Sequence, residues 1–231
     1  MARILVAQNG RGGPIGAFEA PLREAGNELD VWHAPEVPAA PDVRGYDGLV
    51  VLGGVANPDD DGRVPWIAEE RRLVGAALEH DVPVLGLCLG AQLLAQASGG
   101  ESPFLGELDL GWRELELTAE AAADPLLGGL PPRFAGFQWH RYGLRPPDGA
   151  AVLARGPLGV QAFRVGDRAW GLQFHLEVDE RIVDHWLDLA PEEAEAAGES
   201  VAGLRAATAA EAPASTERAR TVGERFARLA T

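Results

Sequence analysis

Residues 82–100 read VPVLGLCLGAQLLAQASGG and contain Cys88, the only cysteine among 231 residues. The short apolar run over 82–87 predicts a buried strand, and the Ala- and Leu-rich segment after Gly90 predicts a helix. Glycines stand two positions before and two positions after Cys88. Because glycine lets neighbouring backbone pass close to a crowded side chain, this spacing predicts a sharp strand-to-helix elbow that presents the thiol.

A thiol on such an elbow lies at the N-terminus of a helix. Unpaired N–H groups and the positive end of the helix dipole generally favour the thiolate at that position. The same N–H groups can also stabilise an oxyanion. Cys88 is therefore a candidate nucleophile. The alternative is a small buried thiol that packs beneath a glycine turn.

A second stretch, WGLQFHLE at 170–177, carries groups that could serve a cysteine nucleophile. Its β-like run places His175 and Glu177 near the carboxyl end of a strand, where open α/β sheets bind ligands. A cysteine nucleophile needs a base, and the base needs an orienting group. The i, i+2 spacing puts both side chains on one strand face or on one short loop, so the carboxylate can reach the imidazole. The alternative is a surface pair that flanks the end of a strand.

The motif GLCLGAQ followed by GLQFHLE resembles the class I glutamine amidotransferase superfamily, whose Cys-His-Glu triad occurs in that chain order. Two further motifs support the resemblance: LVVLGG at 49–54 and FQWH at 137–140. In the family, the first is a strand with an oxyanion-binding glycine pair and the second lines the glutamine site. The resemblance is closest to the glutaminase part of GMP synthase and spans about residues 49–178. It departs from the family pattern at three positions, namely Val55, Tyr142 and Leu176.

The resemblance implies a role for each matching residue. Cys88 would attack the side-chain amide of glutamine or another γ-glutamyl group, while His175, oriented by Glu177, moves protons. The γ-glutamyl thioester would then be hydrolysed to glutamate. The backbone N–H groups of Gly54 and Leu89 would form the oxyanion hole. The implied substrate contacts are Gly53, Gln92, His140 and Arg141. For Gln92 the alternative is an ordinary polar helix residue, and for His140 a half-buried strand residue with one hydrogen bond.

Members of this family pass the released ammonia to a synthase. The chain shows neither a phosphate-binding loop nor a second catalytic pattern, so we expect a separate ammonia-accepting synthase or a stand-alone hydrolase of γ-glutamyl amides or peptides. Two other hypotheses stay open. One is a cysteine peptidase on the same sheet, and the other is a non-catalytic module that binds a metabolite or partner.

Composition limits the class of protein. With 46% hydrophobic and 24% charged residues, the chain can bury one substantial core. Its formal net charge of -15 argues against binding to nucleic acid. No apolar stretch reaches the length of a membrane span, and the N-terminus reads as a strand and a loop. We therefore expect a cytoplasmic protein without a membrane segment. The remaining histidines show no metal-ligand spacing, so we predict no metal and no other cofactor.

The order of elements predicts an α/β fold. Apolar runs at 3–7, 28–33 and 46–52 alternate with helical segments, which indicates right-handed parallel crossovers. After Gly100 the pattern changes to shorter β-like pieces, and alternation around 112–118 is typical of antiparallel strands. We predict one flavodoxin-like open sheet with a parallel core, antiparallel additions and helices on both faces.

The chain divides by composition near residue 190. We expect residues 1–190 to form the amidotransferase-like domain and residues 191–231 to form a C-terminal helical tail. Ser215 or Thr216 is a candidate N-cap for the last helix. Such a tail could pack on the body, form a homodimer or contact a partner.

Overall fold

The computed structural model of the protein describes residues 1–37 and 39–230. Within them, nine strands form one sheet: β1 (Arg3–Gln8), β2 (Glu28–His33), β3 (Gly48–Val51), β4 (Val84–Leu87), β5 (Phe104–Leu117), β6 (Arg133–Tyr142), β7 (Ala151–Gly156), β8 (Gly159–Val165) and β9 (Ala169–Leu172). The α-helices of the same residues are α1 (Glu19–Glu24), α2 (Pro65–Glu79), α3 (Leu89–Ala97), α4 (Glu180–Leu189), α5 (Pro191–Ala196) and α6 (Val201–Leu229).

The strand order is β2-β1-β3-β4-β9-β8-β7-β5-β6. The first five strands in this order pair in parallel, and the later pairs are antiparallel. Parallel neighbours need crossover connections, and α1 and α2 lie in two of them. The prediction of an open sheet with a parallel core and antiparallel additions is confirmed.

Strand β1 shows why helices cover both faces. Its residues are apolar at consecutive positions, as expected for a strand buried on both sides. Ile4 and Val6 pack in one core cluster with Phe18 beside α1 and Phe226 of α6. The alternate residue Leu5 packs in a second cluster, with residues of α2 and α3.

Helix α6 joins the first of these clusters. Its residues Ala219, Val222 and Phe226 are fully buried. It therefore packs on the body of the protein. The predicted tail, residues 191–231, ends one residue beyond the described part of the chain.

The start of α6 differs from the prediction. Its N-cap is Ser200, whose hydroxyl accepts a 3.0 Å hydrogen bond from the N–H of Gly203, and the helix continues through Pro213. Ser215 lies buried in the middle of the helix. The prediction of a cap at Ser215 or Thr216 is wrong, because packing along the whole helix maintains it across the proline.

The segment after β9 brings two distant parts of the chain together. Strand β9 ends at Leu172, where its neighbour β4 ends at Leu87, and the chain then leaves the regular ladder. The N–H of His175 donates a 2.8 Å hydrogen bond to the carbonyl of Phe137 in β6. The antiparallel strands therefore curl until β6 meets the segment beyond β9. Within residues 1–37 and 39–230, no helix combines the length and apolarity needed to cross a membrane.

Candidate active site

Cys88 lies on a strained elbow between β4 and α3. Its φ of 49° is in the left-handed region, which non-glycine residues rarely adopt. A Cβ atom on Gly86 would lie 2.6 Å from the carbonyl of Gly90, and a Cβ on Gly90 would lie 2.2 Å from the carbonyl oxygen of Val51. Both glycines are thus required by close backbone approach. The elbow predicted from the glycine spacing is confirmed.

His175 and Glu177 form a buried pair beside the elbow. The Nδ1 atom of His175 lies 2.5 Å from Oε1 of Glu177, and each residue is 3% exposed. A Cβ atom on Gly53 would lie 2.8 Å from Cε1 of His175 and 3.4 Å from Cβ of Cys88. The imidazole and the thiol residue therefore converge on the same glycine.

The electrostatic surroundings of His175 favour its charged form. Burial alone would lower the pKa of the imidazole, but the Glu177 carboxylate and, after it, Cys88 raise it well above its ordinary value. The rings of Trp186 and His175 pack in a T-shaped arrangement, with ring centroids 5.1 Å apart. The site therefore suits an imidazolium paired with the Glu177 carboxylate.

The loop after β3 packs tightly against this cluster. A Cβ atom on Gly54 would lie 2.7 Å from Cβ of Asn9 and 3.2 Å from Cδ2 of Leu89. The Asn9 amide donates a 2.9 Å hydrogen bond to the carbonyl of Leu52. Leu89 is the first residue of α3, a position whose backbone N–H has no partner within the helix.

The predicted substrate contact Gln92 links α3 to β6. Its Nε2 donates a 3.0 Å hydrogen bond to the carbonyl of Tyr142, and it lies 3.4 Å from Oε1 of Gln173. Gln173 in turn donates to the sulfur of Cys88 at 3.7 Å. Two buried amides therefore connect β6 to the nucleophile elbow.

His140 is held in a neutral form. Burial, followed by the charge of His175, lowers its pKa to about 4. Its Nε2 lies 3.0 Å from Oε1 of Gln138, whose Nε2 donates to Gln161 at 3.0 Å. Because Gln138 accepts through its oxygen, the proton of His140 is on Nε2, and Nδ1 is left as an acceptor. Arg141 lies 3.3 Å from the carboxylate of Glu193 in α5.

These side chains surround one cavity of about 360 Å³. Eight of the nine residues predicted from the sequence line it; the exception is Leu89, which is buried in the core. The eight are Gly53, Gly54, Cys88, Gln92, His140, Arg141, His175 and Glu177.

The cavity also contains residues that sequence reasoning missed. Asn9, Trp186 and Glu193 line it, and the indole N–H of Trp139, which belongs to the predicted FQWH strand, donates to Glu193 at 2.5 Å. Asn9 follows the carboxyl end of a parallel strand, a position that could have identified it. Trp186 and Glu193 belong to α4 and α5, and no spacing in the sequence connects them to the motifs.

The fold and this cluster define the class of protein. The protein is an α/β protein with an open sheet. At the carboxyl edge of the parallel strands it presents a cysteine on an elbow, beside a buried His-Glu pair.

Comparison with known proteins identifies the family. The family model "Glutamine amidotransferase class-I" matches residues 17–187. A GMP synthase [glutamine-hydrolyzing] of Aeropyrum pernix is 36% identical over 149 residues, which cover 62% of this chain and 27% of that protein. A GMP synthase [glutamine-hydrolyzing] subunit of Natronomonas pharaonis is 32% identical over 184 residues, covering 77% of this chain and 89% of that protein.

The likeness extends to a solved structure. The crystal structure of a glutamine amido transferase from Methylobacillus flagellatus superposes with a TM-score of 0.90 at 26% identity, covering 99% of this chain and 95% of that one. The chain therefore belongs to the class-I glutamine amidotransferase family, and the resemblance noted in its motifs is confirmed. This chain spans only about a quarter of the length of the Aeropyrum pernix protein.

Proposed function

We propose that the protein hydrolyses the side-chain amide of glutamine with Cys88 as nucleophile, His175 as acid and base, and Glu177 as the group that orients His175. The observation that carries this proposal is the convergence of the Cys88 side chain and the Glu177-bound imidazole on Gly53. Membership of the glutamine amidotransferase family supports glutamine as the substrate.

The reaction begins when the thiolate of Cys88 attacks the amide carbon of the substrate. The negative charge that develops on the amide oxygen is stabilised by the backbone N–H groups of Gly54 and Leu89. The His175 imidazolium gives its proton to the nitrogen as the C–N bond breaks, so ammonia leaves and a γ-glutamyl thioester remains.

The second half of the reaction uses neutral His175 as a base. It removes a proton from a water molecule that attacks the thioester carbon. The C–S bond then breaks, the thiolate of Cys88 re-forms, and glutamate is released. His175 is again protonated, and Glu177 keeps its ring oriented in both halves.

We propose Gly53, Gln92, His140 and Arg141 as contacts for the amino-acid end of the substrate. The amide nitrogen of Gln92 is occupied by Tyr142, so its carbonyl oxygen is the group offered to an α-amino group. The neutral ring of His140 offers Nδ1 as a further acceptor. Arg141 supplies a cation for the α-carboxylate.

The direct test is glutamate release from L-glutamine, comparing purified wild type with Cys88→Ser. Release that depends on the cysteine, with both proteins unfolding at similar temperatures, supports the proposal. Equal release by both proteins would exclude Cys88 as the nucleophile.

A second candidate substrate is a larger γ-glutamyl amide or peptide. The cavity has a volume of about 360 Å³ and is also lined by Leu108, Trp139 and Trp186. Pockets in proteins that hold drug-sized ligands are roughly 300–1,000 Å³. An apolar amine could therefore occupy the space next to the amide. Higher kcat/KM for γ-glutamyl anilide than for glutamine would favour this substrate class.

We also propose that the protein delivers ammonia to a separate synthase. The support is its match to a relative named as one subunit of a glutamine-hydrolysing GMP synthase. The described part of the predicted tail, residues 191–230, is proposed to be a helical extension of the domain, since Glu193 of α5 lines the cavity. A rate of glutamate release that increases when the synthase partner is added would support ammonia delivery. A rate that is already at its maximum without the partner would favour the stand-alone role.

A further inference from the structure

The cavity carries one carboxylate that the proposed mechanism does not use. Among the described residues that line it, two are acidic, Glu177 and Glu193. Glu177 is paired with His175 at 2.5 Å. The side chain of Glu193, in α5, is 33% exposed, so its carboxylate can be reached by a molecule that fills the cavity.

Two unequal hydrogen bonds hold the Glu193 carboxylate. Its Oε2 accepts from the indole N–H of Trp139 at 2.5 Å, whereas its Oε1 lies 3.3 Å from the guanidinium of Arg141. Hydrogen bonds between a guanidinium and a carboxylate are usually about 2.7–2.9 Å long, so the second contact is loose. Trp139 therefore fixes the carboxylate in place, while Oε1 can accept from another donor.

Glu193 lies at the end of β6 where the amino-acid end of the substrate is proposed to bind. Its loose partner Arg141 is the residue proposed for the α-carboxylate. The carbonyl of the next residue, Tyr142, accepts the 3.0 Å hydrogen bond that orients Gln92, the other proposed contact. Arg141 and Glu193 thus bring one cation and one anion to this place. An α-amino acid carries the complementary charges, a carboxylate and an ammonium group.

We infer that Glu193 is a specificity-determining residue: its carboxylate, held by Trp139, binds the α-ammonium group of the substrate, while Arg141 binds the α-carboxylate. The substrate then replaces one ion pair with two, so neither side chain loses its counter-charge. The inference rests on the proposed hydrolysis of glutamine. It restricts the substrates to γ-glutamyl compounds with a free α-amino group, and it gives α5 a direct contact with the substrate.

The test compares L-glutamine with glutaramate, which has the same amide and the same carboxylate but no α-amino group. Glu193→Gln removes the charge and keeps an oxygen that can accept from Trp139. Binding of both compounds is measured by calorimetry in Cys88→Ser, which lacks the proposed nucleophile, with and without Glu193→Gln. The kcat and KM for ammonia release are measured in proteins that retain Cys88.

We expect Glu193→Gln to weaken L-glutamine binding and to raise its KM about 10- to 100-fold, because a hydrogen bond between charged groups is lost. The kcat should stay within about threefold of wild type, since that contact is made equally in the ground state and the transition state. The kcat/KM for glutaramate should not change, because glutaramate has no ammonium group. Glu192→Gln is the matched control: it removes the same charge from the first turn of α5 at an exposed position, and should affect neither substrate.

The outcomes separate this inference from the proposed function. An unchanged affinity for L-glutamine in Glu193→Gln, or an equal loss of kcat/KM for both compounds, would overturn the inference, and glutamate release by wild type would still support the proposed function. If wild type released no glutamate and Cys88→Ser bound no L-glutamine, the proposed function would be refuted together with the inference.

Discussion

Gly16 lies so close to Glu177 that a Cβ atom on Gly16 would be 2.0 Å from the carbonyl oxygen of Glu177. The next residue, Ala17, donates a 2.9 Å backbone hydrogen bond to the same oxygen. The 3₁₀ turn over Gly16–Phe18 therefore holds the backbone that carries the proposed orienting carboxylate. This turn lies outside every motif that pointed to the site.

Substitution of Gly16 should lower kcat by more than the accompanying loss of stability explains. In Gly16→Ala the new methyl group must push Glu177 away, so we expect kcat to fall at least about 100-fold. Gly26→Ala is the matched control: Gly26 also has a positive φ, but a Cβ there would meet nothing within 4 Å. It should lose about 1–2 kcal/mol of stability from backbone strain and keep its kcat. Equal kcat in the two variants would contradict the prediction.

Gly53 is predicted to tolerate no side chain. A methyl group there would lie 2.8 Å from Cε1 of His175 and would separate the imidazole from Cys88. We expect Gly53→Ala to abolish glutamate release and to slow alkylation of Cys88 by iodoacetamide. Gly10→Ala, at a cavity-lining position where a Cβ meets nothing within 4 Å, should change neither rate substantially.

Removal of the Glu177 charge should lower the pKa of His175. In Glu177→Gln the burial that lowers this pKa remains and the larger of the two influences that raise it is lost. The pKa can be followed by NMR of the imidazole. We also expect kcat to fall about 10²- to 10⁴-fold, because the correct ring tautomer is no longer enforced. An unchanged pKa of His175 would disprove the electrostatic coupling.

The same pair makes stability depend on pH in a defined direction. The pKa of His175 is higher in the folded protein than in the unfolded chain. The contribution of charged His175 to the free energy of unfolding is therefore fully present below about pH 6.5. It is lost as the pH rises through the raised folded pKa. The free energies of unfolding of wild type and Glu177→Gln, measured with urea, should therefore differ most in acid. A difference that grows with rising pH would have the wrong sign.

Glu70 should contribute a pH dependence of its own. Burial raises its folded pKa to about 8 from the ordinary value of 4.5, so between these limits the folded state binds one proton more than the unfolded state. The free energy of unfolding should then fall by about 1.4 kcal/mol per pH unit as the pH rises through this window. Glu70→Gln lacks this slope, and parallel profiles of the two proteins would rule out a protonated Glu70.

Local pattern was sufficient for much of the fold, whereas the proposed oxyanion and substrate-binding residues came from the resemblance to a known family. The apolar run over 82–87, the glycines around Cys88 and the alternation of strands with helices report local burial and backbone geometry, which a sequence records directly. These patterns predicted the parallel core and the elbow, and their motifs carried the resemblance to the family. Prediction failed at α6, where Ser215 looked like a cap, because long-range packing sustains a helix through Pro213.

The sequence by itself determined the fold class, the family and the residues that lie at strand ends. Only the tertiary structure decided which of them meet: the antiparallel strands curl until Phe137 pairs with His175, and α4 and α5 bring Trp186 and Glu193 to the cavity. Contacts such as that of Ala17 with Glu177 join residues far apart in the chain. They depend on how elements pack in three dimensions, and no periodicity or spacing along the sequence encodes that packing.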